Sequence, residues 1–185
     1  NDRINPNDIV IIDSFPLPLC QPVRNHRASI FKGVADIGYN ASKQRWFYGF
    51  KIHMLVTLSD YILNYVVTYA SVHDIKIVHD LIGGCQQSVI LADLGYLSHE
   101  LKADLAKEGY RLWTPLRQNM DGVKEHNHWQ LMAMRRTIET RFSELVRLFD
   151  IEHTLARGLT GLQLRIEQIL LAHNLQYFEI NQHHG

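Results

Sequence analysis

Ile9-Val10-Ile11-Ile12 is a run of four β-branched residues that ends on an acid, Asp13. Such a run has no polar face. As a strand it is satisfied only in the middle of a sheet covered on both sides, which requires helices packed above and below. A second short apolar run, Val89-Ile90-Leu91, is followed closely by Asp93. The segments around these two runs alternate in type. Residues 46–58 and 61–69 are rich in Tyr, Val, Ile, Leu and Thr with Ser59-Asp60 between them, and they predict a β-hairpin. Val72–Leu81 predicts a short helix with Ser71 as its N-cap and Gly83-Gly84 beyond its end. Ser98 caps a helix that runs to Glu108 and is closed by Gly109. Arg111–Thr114 predicts one more strand, stopped by Pro115, and 116–129 a polar loop. Leu131, Met134, Ile138, Phe142, Leu145 and Phe149 recur every three or four residues, the stripe of a long core-facing helix. Leu162–Phe178, after Gly158 and Gly161, is apolar almost all round and predicts a buried helix. The class is α/β: a mixed sheet of about five strands flanked by helices.

Residues 14–45 break the pattern. Pro16, Pro18, Pro22, Gly33 and Gly38 predict a long loop inserted after the first strand. Arg24, Arg27, Lys32, Lys43 and Arg45 face Asp36 alone there, a net charge of +4. The chain as a whole has 185 residues, with 19 basic side chains balancing 19 acidic ones. That excludes a basic nucleic-acid tail and leaves room for a local basic arm. Arg24, Arg27 and Lys43 are candidate phosphate contacts, and Phe31, Tyr39, Trp46 and Phe47 are candidate stacking platforms for unpaired bases. An ordinary solvated loop is the alternative. The length fits one domain over 1–185. Two distant cysteines, Cys20 and Cys85, argue against a disulfide framework and for a reducing compartment. No apolar run reaches the length of a membrane span.

Three acids fall where open α/β sheets gather chemistry. Asp13 ends the first strand, Asp93 follows the fourth, and Glu139 lies beside the apolar stripe of the long helix. Clustered carboxylates repel one another unless a cation sits between them. Their oxygens suit Mg²⁺ or Mn²⁺. A pair of such ions supports in-line phosphoryl displacement. Most of the nineteen acids must nevertheless be surface groups. Arg135 lies one helical turn before Glu139, as a phosphate contact or a surface ion pair. His126 and His128 lack a third zinc ligand nearby in sequence. His73-Asp74 and His79-Asp80 sit among strands, unlike the His-Asp pairs of all-helical phosphohydrolases.

Five segments, in order, are similar to the catalytic core of bacterial insertion-sequence transposases of the DDE type. Ile11-Ile12-Asp13-Ser14 resembles the first-aspartate strand. Tyr48-Gly49-Phe50-Lys51-Ile52-His53 resembles the Y-G-x-K-x-H strand. Ala70-Ser71-Val72-His73-Asp74 resembles the segment that opens the first helix. Leu91-Ala92-Asp93-Leu94-Gly95-Tyr96 resembles the D-K-G-Y motif, and Arg135 to Ser143 the R-x-x-x-E helix. The resemblance implies a ribonuclease H-like fold, with Asp13, Asp93 and Glu139 as catalytic ligands of two Mg²⁺ or Mn²⁺ ions. It implies cleavage at transposon ends followed by attack of the freed 3′-hydroxyl on target DNA. Lys51, His53, Arg135 and Arg136 become DNA contacts. The partners are transposon-end and target DNA, with self-association on DNA, in a bacterial cytoplasm at the nucleoid. Leu94 stands where the family has lysine, Met132 where it has tyrosine and Val146 where it has lysine. No DNA-recognition region precedes the first strand, so end recognition is expected outside this chain. A nuclease of the same fold that does not join ends, and an inactive DNA-binding remnant, are the alternatives.

Overall fold

The computed structural model describes residues 5–20, 24, 30–40 and 43–183, the last few by backbone alone. Six strands form one mixed sheet. They are β1 (Ile9–Cys20), β2 (Asp36–Asn40), β3 (Arg45–Thr57), β4 (Ile62–Tyr69), β5 (Val89–Ala92) and β6 (Arg111–Trp113). The order is β2-β3-β1-β5-β6, with β4 also paired to β3. β1 with β5 and β5 with β6 are parallel, whereas β2 and β3 are antiparallel. The helices are α1 (Val78–Ile82), α2 (His99–Lys107), α3 (Val123–His126), α4 (Trp129–Arg147) and α5 (Leu159–His183). This is the expected ribonuclease H-like class, with six strands in place of about five.

The chain divides into two compact units. The first comprises the residues up to Asp13, His53–Val66 and His73–Arg141. Ile9–Ile12 and Val89–Ala92 are buried throughout, as strands covered on both faces must be. Asp8 ties the two together at their start by accepting bonds from the Ser88 amide and hydroxyl, which hold its carboxyl below the usual range. The β3–β4 turn closes with Thr57 N–H bonded to the Tyr61 carbonyl and Asp60 in the left-handed region. Ser98 caps α2 by accepting from the Leu101 amide. The helix ends as expected: Gly109 takes φ 91°, and the amides of Gly109 and Tyr110 return to the Ala106 and Leu105 carbonyls. The predicted helix over 72–81 is instead a 3-10 turn, Asp74–Ile77, followed by the short α1. α3 interrupts the loop expected at 116–129.

The second unit comprises Ser14–Ile52, Val67–Val72 and the residues from Phe142 on. Here the expected loop at 14–45 is corrected. β1 continues past Asp13 through Pro16 and Pro18 to Cys20. Prolines two apart both withhold their missing N–H from the same edge, so they disturb only one side of a strand. β2 occupies 36–40. Ser71 does not cap a helix: its amide and hydroxyl both donate to the Asp36 carboxylate. Gly49 lies so close to the Leu17 backbone oxygen that no side chain fits. Phe15 packs on Phe142 and Phe31 on Phe50, with ring centroids 4.8 and 5.3 Å apart. α5 is not buried all round. Leu162, Ile166, Ile169, Leu170 and His173 form its buried stripe, while Leu164, Leu171, Leu175 and Phe178 are exposed.

Candidate functional site

The site lies within the first unit and starts from a register. Ile12 pairs with Ala92 across the parallel β1–β5 ladder, so Asp13 and Asp93 follow its last paired positions at the same level, Asp13 within β1 and Asp93 just beyond β5. Asp93 begins a 3-10 turn, Leu94–Tyr96, but its side chain makes no capping bond, which leaves its carboxylate to the site. Tyr96, fully buried, pins that turn to the core, and its amide donates to the Asp93 carbonyl.

α4 supplies the third acid and a cation. Ile138 faces the core and fixes the helix rotation. Arg135 and Glu139, one turn apart, then share a side. Arg135 Nη2 donates to Glu139 Oε1 at 3.0 Å. Its Nη1 lies 3.7 Å from Asp93 Oδ1 and 3.9 Å from Asp13 Oδ2. All three acids thus meet around one guanidinium. The Arg135 side chain is 10% exposed, Asp13 17%, Asp93 48% and Glu139 59%. Among the described residues, no three His, Cys, Asp or Glu side chains stand close enough together to hold a metal ion as they now lie. The donor set itself fits a hard divalent cation, being three carboxylates turned toward a shared positive charge.

His53 is not at the surface. It is fully buried, with Nδ1 3.6 Å from Asp74 Oδ1. A side chain at Gly95 would touch Asp74 Oδ2, so Asp74 stands directly against the turn that carries Asp93. Alternation with Lys51 predicts a phosphate contact for His53, and no spacing marks Asp74 as a site residue. The usable signal was the unbroken apolar setting of His53, with Ile52, Met54, Leu55 and Val56, which marks a strand covered on both faces.

The remaining expected DNA contacts are Arg136, Lys51, Lys43, Arg24 and Arg27. Arg136 is exposed on α4. Lys51, Lys43 and Arg24 belong to the second unit. There Lys51 Nζ donates to the Val72 carbonyl at 2.7 Å, Lys43 lies 3.5 Å from Glu152, and Arg24 is exposed. Arg27 lies outside the described residues. His126, considered for zinc, bonds the Thr114 carbonyl through Nε2 and stacks on Trp113.

A family model described as a transposase DDE domain matches residues 3–159. The chain belongs to the DDE transposase family. The matched span includes Asp13, Asp93, Arg135 and Glu139. Among solved structures, a cryo-EM structure of a piggyBac transposase synaptic complex with hairpin DNA aligns at 21% identity and a TM-score of 0.40. The alignment covers 65% of this chain and 25% of that one. No curated protein matches the sequence. Among the described residues of this DDE domain, no helix is long and apolar enough to cross a membrane.

Proposed function

We propose that this chain is the catalytic core of a DNA transposase that cuts phosphodiester bonds at transposon ends and joins the freed 3′ end to target DNA. The observation that carries this reading is the convergence of Asp13, Asp93 and Glu139 on one positive group beside the end of the parallel β1–β5 ladder, in a DDE-family domain. Residues 1–185 are read as one catalytic domain, because β1, β3, β4 and α4 each contribute residues to both units. Asp13, Asp93 and Glu139 would hold divalent metal, two Mg²⁺ or Mn²⁺ ions in this reading. When bound, such ions supply Lewis-acid activation of the attacking hydroxyl and stabilisation of the leaving oxygen.

The chain's own residues do the rest. Asp13, the least exposed acid, is held by the buried β1 run and sets the inner side of the site. Asp93 and Glu139, nearer solvent, stand where a nucleic-acid backbone arrives. Arg135 offers two guanidinium nitrogens to a phosphate, and Arg136 continues the positive face along α4. Arg24, Arg27, Lys43 and Lys51 are the further DNA contacts of this reading. His53 acts through Asp74 on the Asp93 turn, because a fully buried imidazole reaches no phosphate. Self-association on DNA, and action at the nucleoid of a bacterial cytoplasm, belong to the same proposal.

The test is a labelled transposon end incubated with supercoiled plasmid and Mg²⁺. The wild-type chain is expected to nick the end and join it to the plasmid. D13N, D93N and E139Q should each lose at least about a thousandfold in rate, the equivalent of several kcal/mol of transition-state stabilisation. DNA binding by gel shift should stay within about twofold, since the three acids are not the phosphate contacts. Cleavage without joining would make the protein a hydrolytic nuclease. Binding without cleavage would make it a DNA-binding protein only.

A further inference from the structure

The positive charge at the centre of the acid cluster is already present, and it belongs to the protein. We propose that Arg135 is the resident cation of this site: divalent metal and the guanidinium compete for the same three carboxylates, and metal entry turns Arg135 outward. The inference rests on the metal-dependent reading above and deepens it.

Three features of the geometry carry it. First, the guanidinium is shared and not clamped. Only Glu139 is within hydrogen-bond distance, at 3.0 Å, while Asp93 and Asp13 stand at 3.7 and 3.9 Å. A bidentate arginine–carboxylate pair would be shorter, more directional and harder to break. Second, Arg135 is 8% exposed and its Nε is buried without a hydrogen bond. Its place inside is therefore maintained by the single hydrogen bond to Glu139 and by charge attraction, both of which weaken once another cation satisfies the acids. Third, two of its three partners are about half exposed. An incoming hard cation therefore reaches these two carboxylates from solvent and can replace the guanidinium as their partner. A divalent ion among the carboxylates would also repel a guanidinium held this close. The flexible stem of Arg135 then carries the group toward solvent, where a phosphate is its natural partner. One residue thereby shields the acids from mutual repulsion before loading and becomes available to DNA after it.

Manganese binding to the full chain without DNA tests this directly, by calorimetry at fixed ionic strength. R135Q removes the competitor and keeps a polar side chain. It should bind Mn²⁺ at least about tenfold more tightly than wild type. Metal-free R135Q should melt below wild type, and saturating Mn²⁺ should close that gap. Equal or weaker Mn²⁺ binding by R135Q would overturn the proposal. The D13N/D93N variant separates the two levels. If it binds Mn²⁺ as well as wild type, the metal site is elsewhere and both readings fail. If it loses binding while R135Q gains none, only the resident-cation proposal fails. Uptake by neither wild type nor R135Q overturns both. Should R135Q not fold, the Nε–H resonance of Arg135 in wild-type protein, assigned by its loss in R135K, provides the second measurement. It should shift and exchange faster with water on adding Mg²⁺. A resonance that stays in place while the carboxyl signals of Asp13 and Asp93 move would count against the exchange.

Discussion

Asp13, Asp93 and Glu139 owe their meeting to where each residue sits relative to its element. Asp13 and Asp93 are the first residues beyond paired positions of β1 and β5, and Glu139 rides one turn beyond Arg135 on α4. Some other charged residues have a partner only a few positions away in the chain. His153 is bonded to Asp150 at 2.6 Å, and that bond, helped by the nearby charge of Asp150, raises its pKa above the ordinary histidine value. The folded state therefore binds the proton more tightly than the unfolded state. The contribution to stability is complete below the ordinary histidine value and fades as pH rises through the raised folded value. An NMR titration should show the imidazole of His153 titrating late, and D150N should return it toward ordinary behaviour. An unchanged midpoint in D150N would show that the pair does not couple. Both groups are largely solvent-exposed, so the effect on global stability is small.

Elements of this chain are held by a few local devices, and two can be tested by single substitutions. Ser98 satisfies an orphan amide at the start of α2. S98A should cost about 1 kcal/mol in urea unfolding, while S98D should retain most of the stability because it keeps an accepting oxygen. Gly49 on β3 has no room for a Cβ, which would strike the Leu17 backbone oxygen. Backbone yields less readily than a side-chain tip, so G49A should cost about 1–3 kcal/mol. Gly83, where the nearest atoms stand at 3.5 and 3.6 Å, is the control, and G83A should change stability by less than about 0.5 kcal/mol. A G49A protein as stable as wild type would mean that β1 and β3 have slack at this point. The same element scale explains where sequence reading of boundaries stopped. Pro16 and Pro18 are loop signals by composition, yet their shared edge lets β1 run on to Cys20.

At the scale of the whole molecule the charges cancel, 19 basic against 19 acidic, so no long-range field draws nucleic acid in. Binding must come from local groups, and its salt dependence counts them. With roughly five phosphates neutralised, the logarithm of affinity should fall against the logarithm of salt with a slope of about −4.5. K43E and R136E should each flatten that slope by about one and weaken binding similarly on all sequences. A slope near zero would remove the basic arm from the proposed DNA path. Both side chains are exposed, so neither substitution disturbs a core.

Local physics settled much of this protein from the chain alone. Four β-branched residues in a row admit one environment, a stripe every three or four residues admits one helix rotation, and a Ser-to-Gly bracket sets the limits of α2. The sites of Asp13, Asp93 and Glu139 on their elements followed from these rules, because each rule acts within a few residues. Only the tertiary structure decided which of these elements touch. Pairing across some eighty residues, Ile12 beside Ala92, is chosen by the order of strands in the sheet, and no local pattern encodes it. The same long-range packing sent His53 inward to Asp74 and set Arg135 among three carboxylates. Alternation and spacing assign a side chain to a face. Whether that face meets water, a buried acid or a cluster of charges depends on what the rest of the fold lays against it.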